Sequence, residues 1–320
     1  MAEYRTYTAI GQREDLSNTI YNIAPTETPV VSSIGKTNAT ATYHEWQTDT
    51  LAAASASGLI EGADAGDASD TPTDRVGNKT QIQGKTVHIS GTLDAVDKAG
   101  RKTETAYQLA KAGQELKRDM EKTILGNVAQ SNGTAGTSAR LLGSIQTWLG
   151  TNFVTMTDGE APVGSDGTAT RTEGTTAAAF TEAKLKEVVK SCFVNGGSPT
   201  ILVVPPTQKQ VVSEFAGIAV NRVTASPTKQ ATIVGAADVY LSDFGMLSVV
   251  PDRFMTADAS PVAEQALVLD PTMASIATLR PFESHLLAKS GDSEKHQMLV
   301  EYTLQVSNEK AHGIVADLAV

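Results

Sequence analysis

The chain has 320 residues, 40% of them hydrophobic and 19% charged, with a formal net charge of -10 and a pI near 5.0. That length suffices for a substantial core and, at ~100 to 200 residues per domain, suggests two lobes. The acidic balance argues against a protein that grips phosphates through clustered Lys and Arg, and aromatics at 5% leave few large anchors, so binding must be spread over area. The single cysteine, Cys192, excludes an intrachain disulfide and points to synthesis in a reducing cytoplasm. Met1 to Ile10 holds no apolar core behind a basic start, and no run of about 18 apolar residues occurs, so neither a signal peptide nor a membrane span is expected.

In chain order, the first 35 or so residues scatter Ile10, Leu16, Ile20, Ile23, Val30, Val31 and Ile34 among polar turns and two prolines, Pro25 and Pro29. Such a segment makes no core alone and is too apolar for a free tail; the expectation is an extended arm with a short helix, lying across something else. Thr40 to Asp49 and Thr80 to Leu93 favour strands, with Val87, Ile89, Gly91 and Leu93 alternating with Thr86, His88, Ser90 and Thr92. These runs read as the two legs of one hairpin. Between them, Leu51 to Asn78 is rich in Ala, Ser, Gly and Asp and far exceeds a normal hairpin loop of about 2 to 5 residues.

Glu104 to Leu125 carries Leu109, Gly113, Leu116, Met120 and Ile124 at steps of three and four, which predicts a long helix with one apolar stripe. Lys111 with Glu115, and Lys117 with Glu121, stand four apart on its other faces, where opposite charges meet. Leu141 to Val154, with Trp148, is a short apolar stretch, and the Gly- and Thr-rich Thr155 to Ala179 reads as a surface excursion. Thr181 then caps a second helix with Leu185, Val188, Val189, Cys192 and Phe193 on one face, stopped by Asn195-Gly196-Gly197. Ile201 to Val204 follows as a buried strand, and Thr207 opens a further helix through Val211, Val212 and Phe215, so this lobe is a small α/β layer. Val239 to Leu241 and Leu247 to Val250 form a hairpin across Asp243 to Gly245. Met298 to Val306 alternates as a strand, with Gly313 to Asp317 as its partner across a turn at Asn308 to Lys310.

Chemistry is sparse. Gly84-Lys85-Thr86 resembles the end of a phosphate loop, but position 79 is Lys where a glycine is needed, and a strand follows where a helix N-terminus is required. His44-Glu45 lacks the second imidazole of a zinc helix, since position 48 is Thr. His88, His285, His296 and His312 show no ligand spacing and read as strand or loop surface. Cys192 lies on an apolar helix stripe, where a buried thiol is expected. The sequons at Asn38, Asn78 and Asn132 have no secretory signal beside them, and Asp64, Asp67, Asp70 and Asp74 lack the spacing and terminal Glu of a calcium loop. No catalytic, cofactor or metal residue is assigned, and an enzyme is not expected.

Three strings and the element order carry a resemblance. They are Gly11-Gln12-Arg13-Glu14-Asp15-Leu16 with Ile23-Ala24-Pro25-Thr26-Glu27-Thr28-Pro29, then Ile201-Leu202-Val203-Val204-Pro205-Pro206, then Glu301-Tyr302-Thr303-Leu304-Gln305-Val306. Together they resemble tailed-phage major capsid proteins of the Hong Kong 97-like (HK97-like) fold, in the family that includes large podophage and cyanophage-type members. The resemblance implies an α+β fold with an N-terminal arm (1–38), an extended E-loop hairpin (39–99), a P-domain with a long spine helix (100–180), an α/β A-domain (181–265) and P-domain C-terminal strands (266–320). It implies self-assembly into hexamers and pentamers of an icosahedral shell that encloses double-stranded DNA without binding it specifically, built in the host bacterial cytoplasm. A separate scaffolding protein is implied because the arm starts almost at Met1; a portal and a place for a decoration protein belong to the same picture, and a membrane does not. The arm and the long loop would then bury their apolar residues on neighbouring subunits, with Leu51, Leu59, Ile60, Lys79 and Lys85 as contact residues. Relatives that crosslink use Lys and Asn; Lys79, Lys85 and Asn308 are the right types, but no local string identifies that reaction. The alternative of a tail or decoration component is disfavoured by the long helix followed by a separate α/β lobe, and a hydrolase built on 181–265 has no positive support.

Overall fold

The computed structural model describes residues 26–56, 58, 60–62, 64, 72–98, 100, 102–156, 158–215, 238–255, 264–289 and 291–319. Its axis is α3 (Glu104–Leu125), 22 residues and therefore about 33 Å long. Of the expected stripe, Leu116, Met120 and Ile124 are buried, with Ala112 beside them, while Leu109 and Gly113 are half-buried. Gly113 on this helix leaves room for Met298, whose sulfur would lie 3.6 Å from an added Cβ.

Two sheets pack around this helix. The first has the order β1-β10-β11-β4, formed by β1 (Gly35–Asn38), β10 (Ala274–Leu286), β11 (Ser293–Val306) and β4 (Gln81–Ser90). In β11 the half from Val300 to Val306 is mostly buried, whereas Ser293–Leu299 and the end of β10 project away from the core. The second sheet has the order β5-β12-β9-β6-β8-β7, with β5 (Phe153–Thr155), β12 (Gly313–Ala316), β9 (Ala266–Leu269), β6 (Ile201–Val204), β8 (Gly245–Pro251) and β7 (Val239–Ser242). One face of it covers the core around α3, with Ile145, Trp148 and Leu149. The other is closed by α4 (Glu182–Val194) and α5 (Pro206–Ser213) over Leu185, Val188, Cys192 and Val212. α4 approaches β12 so closely that a Cβ at Gly313 would lie 2.4 Å from Val188 Cγ1. The stop after α4 uses Gly196 at φ +88°, a conformation open to glycine at little cost.

Several expectations are corrected. The strand at 80–93 is not the second leg of a hairpin with 43–48: β4 pairs antiparallel with β11, and β2 (Tyr43–Thr48) pairs with β3 (Asp74–Lys79). β12 is not the partner of β11; it crosses into the second sheet, parallel to β5 and antiparallel to β9. The end of the arm finds its core within its own subunit. α1 (Pro29–Ser33) and β1 bury Val30 and Ile34, with β1 parallel to β10; Ile10, Leu16, Ile20 and Ile23 lie outside the described residues. Glu121 does not join Lys117 on the surface: it is buried and accepts the N–H groups of Val30 and Val31 at the start of α1. Lys111 and Glu115 do meet, at 3.9 Å.

Phe193 is half exposed, not on the buried stripe of α4, because it turns toward Phe244 in the β7–β8 turn. Thr181 stands at the N-cap of α4 without a side-chain cap hydrogen bond. The segment 155–179 is no mere surface excursion, since Arg171 is buried in it, donating to Gln146 Oε1 at 2.7 Å. His312 is buried instead of on the surface: Nδ1 accepts the Asp270 N–H at 3.1 Å, and burial pushes its pKa down to about 4. Cys192 is buried as expected, its thiol pushed up to about 12 by burial.

Candidate assembly surfaces

The β2–β3 hairpin is rooted in the body of the subunit by a buried amide. Asn78 donates through Nδ2 to Gly143 O at 2.9 Å and Leu304 O at 2.8 Å, and its Oδ1 accepts Gly143 N–H at 2.7 Å and Lys79 N–H at 2.9 Å. Both faces of the amide are thereby used, which fixes its orientation. Next to it Thr80 Oγ1 donates to Glu301 Oε1 at 2.8 Å, and Arg140 bridges the same carboxylate and the Thr80 carbonyl. Trp46 packs on Trp148 with ring centroids 5.3 Å apart, and His44 Nε2 meets Gln305 Oε1 at 3.0 Å. Farther out, Arg75 makes a two-pronged bond to Glu45, Nε to Oε1 at 2.6 Å and Nη2 to Oε2 at 2.5 Å.

Beyond this root the described residues 49–56 are mostly exposed, as are 58, 60–62 and 64. Leu51 is 97% exposed and Ile60 is 81% exposed; Leu59 lies outside the described residues. Lys79 ends β3 opposite Tyr43, at the root of the hairpin. Lys85 is on β4 in the other sheet, where it pairs with Asp119 of α3 at 2.8 Å. Leu51 and Ile60 are thus exposed residues between β2 and β3, whereas Lys79 stands in β3 and Lys85 in β4. His44 and His88 do not face each other, because β4 lies in another sheet, and His88 Nε2 meets Ser293 Oγ at 2.7 Å.

Two more open surfaces were not foreseen. β7 is the outer strand of its sheet; its Tyr240 side chain faces inward and donates to Glu182 Oε1 at 3.1 Å, while Leu241 is 79% and its partner Met246 62% exposed. With Phe244, Phe193 and Val194 these make an apolar tip. The sequence offers only Val239-Tyr240-Leu241, apolar on both faces, which fits a central strand as well as an edge strand. The other surface is the outer half of β10: β1 pairs only with Ser275–Thr278, so the residues from Arg280 to Leu286 have β11 on one side and no described strand on the other. Phe282 and Leu286 are exposed there. Among the described residues no group of His, Cys, Asp and Glu is arranged to hold a metal ion, and no helix is long and apolar enough to cross a membrane.

Comparison with solved structures places this architecture. The chain is similar to a Gordonia phage Cozz chain at 14% identity and TM-score 0.60, covering 97% of this chain and 92% of that one. It is similar to a Mycobacterium phage Bobi chain at 12% identity and TM-score 0.59, with 97% and 96% covered. A chain from the capsid of a native GTA particle gives 15% identity and TM-score 0.58, with 98% and 97% covered. The α+β fold is thus shared with these two phage chains and with the capsid chain of the GTA particle. The profile of the SU10 major capsid protein matches residues 3–319, and the chain belongs to that family. It is 38% identical over 128 residues to a major capsid protein of Escherichia phage Phieco32, a match covering 40% of this chain and 36% of that relative, little more than a third of the relative's length.

Proposed function

We propose that this chain is a structural shell subunit with no catalytic step of its own, which assembles with copies of itself into hexameric and pentameric capsomers of an icosahedral shell around double-stranded DNA. The observation that carries this reading is the pairing of a fixed root with an exposed tip: Asn78 and Trp46 fix the hairpin, while Leu51 and Ile60 are almost fully exposed among the described residues. Exposed apolar groups of this kind gain by burial at about 25 cal/mol per Å2 against a neighbour. In this reading the contact set is Leu51, Leu59, Ile60, Lys79 and Lys85, the last with Asp119 still beside it, and the β7–β8 tip adds Leu241, Phe244 and Met246.

The domain assignment follows the same reading. Residues 1–38 are the arm, 39–99 the E-loop region, 100–180 and 266–320 the P-domain, and 181–265 the A-domain. A separate scaffolding protein, a portal and a decoration protein are its expected companions, and the host bacterial cytoplasm its place of assembly. The net charge of -10 favours enclosure of DNA without specific binding. The test is to replace Ala52–Asn78's outlying part, residues 52–72, by a short Gly-Ser turn, which keeps β3 and Asn78. The shortened subunit is expected to keep its circular dichroism and melting profile and to lose capsomer and shell formation in sedimentation and electron microscopy. Normal, equally stable shells would refute the role given to the loop.

A further inference from the structure

Two carboxyl groups meet in the interior where α1, α3 and the chain leaving β8 come together. Glu121 on α3 and Asp252, directly after β8, are both fully buried. Glu121 accepts Val30 N–H at 2.7 Å through Oε1 and Val31 N–H at 2.8 Å through Oε2. It thereby supplies acceptors to the first turn of α1, whose N-cap residue Thr28 makes no side-chain cap hydrogen bond. Asp252 is held from the other side: its N–H donates to Val204 O at 2.9 Å, and its Oδ1 accepts Phe254 N–H at 2.7 Å. Asp252 Oδ2 is buried without a donor from the described residues, and its carboxyl lies in hydrogen-bonding contact with that of Glu121.

Among the described residues no other charged group on the elements packed here forms an ion pair with either carboxyl. Arg118 lies over the Phe254 ring, 5.6 Å from its centroid; Arg253 pairs with Glu27 at 3.7 Å; Asp119 pairs with Lys85 at 2.8 Å; Lys117 and Lys122 are exposed. Two touching buried carboxylates do not both ionise without a large penalty. One proton between them resolves the arrangement, because a hydroxyl oxygen of Glu121 accepts one N–H while giving its hydrogen to Asp252 Oδ2.

We propose that Glu121 and Asp252 share one proton and form a pH-sensitive latch, which holds α1 against α3 and the β8 exit and releases it as the proton is lost. The latch belongs to the single subunit and does not rest on the assembly reading. Burial, reinforced by the bond to Asp252, pushes Glu121 from 4.5 up to about 8, and burial raises Asp252 as well. The latched state therefore holds a proton that the open state has lost across the window between those two values. The latch is at full strength below the lower value, weakens by about tenfold per pH unit through the window, and levels off above its upper end. Neutral pH falls inside the window, where a small change of pH or of local charge alters the population of released α1.

The experiment is amide hydrogen exchange on the full-length chain at pH 6 and pH 8.5, with protection at Val30 and Val31 corrected for the intrinsic pH dependence of exchange. Wild type is expected to lose at least about tenfold of protection there across this range. The amides of Val203 and Leu267, in the core sheet, should remain protected. In Asp252→Asn the new amide donates to an ionised Glu121 and Oδ1 still accepts Phe254 N–H, so the loss should shrink to less than about threefold. Flat wild-type protection overturns the latch by itself, whether or not the variant folds. So does an Asp252→Asn profile that follows wild type, and so does a parallel loss at Val203 and Leu267, which would mark global unfolding.

Discussion

Asn78 offers the sharpest test of how the hairpin is rooted, because all four of its side-chain hydrogen bonds are internal. In Asn78→Ala the buried Gly143 N–H loses its acceptor, while the Gly143 and Leu304 carbonyls lose a donor. At about 1 to 3 kcal/mol for each of the two buried polar groups left unpaired, with Gly143 O keeping a 3.4 Å contact from Trp148 Nε1, the expected loss is about 2 to 6 kcal/mol. Asn78→Asp keeps the shape and the two accepted bonds but places carboxylate oxygen against two carbonyls at 2.9 Å and 2.8 Å. An ionised Asp is therefore no better tolerated than Ala at neutral pH. Its folded-state pKa must lie above the unfolded value of about 3.9, so part of the lost stability returns as pH falls through the folded pKa toward the unfolded one. Denaturant titration of the unassembled subunit at pH 7 and pH 4.5 measures both effects. Asn78→Ala within about 1 kcal/mol of wild type, or an Asn78→Asp difference from wild type that does not change with pH, would refute the reasoning.

Two further outcomes follow from burial alone. Leu116→Asp places an unpaired carboxylate at a fully buried position on α3 and should cost several kcal/mol, read as insoluble or unfolded subunit; soluble, normally assembling protein would remove α3 from the core. The Cys192 thiol, pushed up to about 12 by burial, should resist iodoacetamide at pH 8 in the folded chain and react fully in denaturant, and labelling of the folded chain at the rate of a free thiol would contradict its placement.

Helices were the most legible part of this sequence, because their evidence is local. Leu116, Met120 and Ile124 recur at helical spacing, and the helix spans Glu104–Leu125 as that spacing predicts. Strand pairing was far less legible. Asp74–Lys79 has only one β-branched residue, Val76, so nothing local marks it as a strand; its register with β2 is set by distant partners, Gly143 and Leu304, which grip Asn78. With no local mark on that strand, proximity in the chain favours β2 as the partner of β4, although its partner β11 lies some two hundred residues further along. Proximity likewise favours β11 as the partner of β12, whereas the apolar run of β12 is buried in the second sheet between β5 and β9.

Polar residues in the interior failed for a different reason. A spacing of four puts Lys117 and Glu121 within reach of each other, but it does not say which part of the helix surface another element covers. α1 comes from a stretch that lacks a strong helical period, and its two free N–H groups give Glu121 a better environment than a lysine in water. The buried His312 is likewise set by Asp270, which is distant in sequence.

The surfaces that carry the assembly reading depend on both kinds of information. The exposure of Leu51 and Ile60 was legible because a long Ala-, Ser- and Gly-rich loop has too few apolar groups to offset an ordering cost of about 1 to 2 kcal/mol per residue. The few it has gain most against a surface supplied from outside. Leu241 and Met246 were not identifiable from periodicity, since a run apolar on both faces fits a central strand as well as an edge strand. Only the strand order, which leaves β7 outermost, decides between them. What makes such exposed groups useful is the stiffness of the parts that hold them: the hairpin is fixed by Asn78 and by Trp46 against Trp148, and β7 by Tyr240 against Glu182. A neighbour that meets these tips need not bear the entropy of ordering their roots, so the burial of a few apolar side chains goes further toward holding two subunits together.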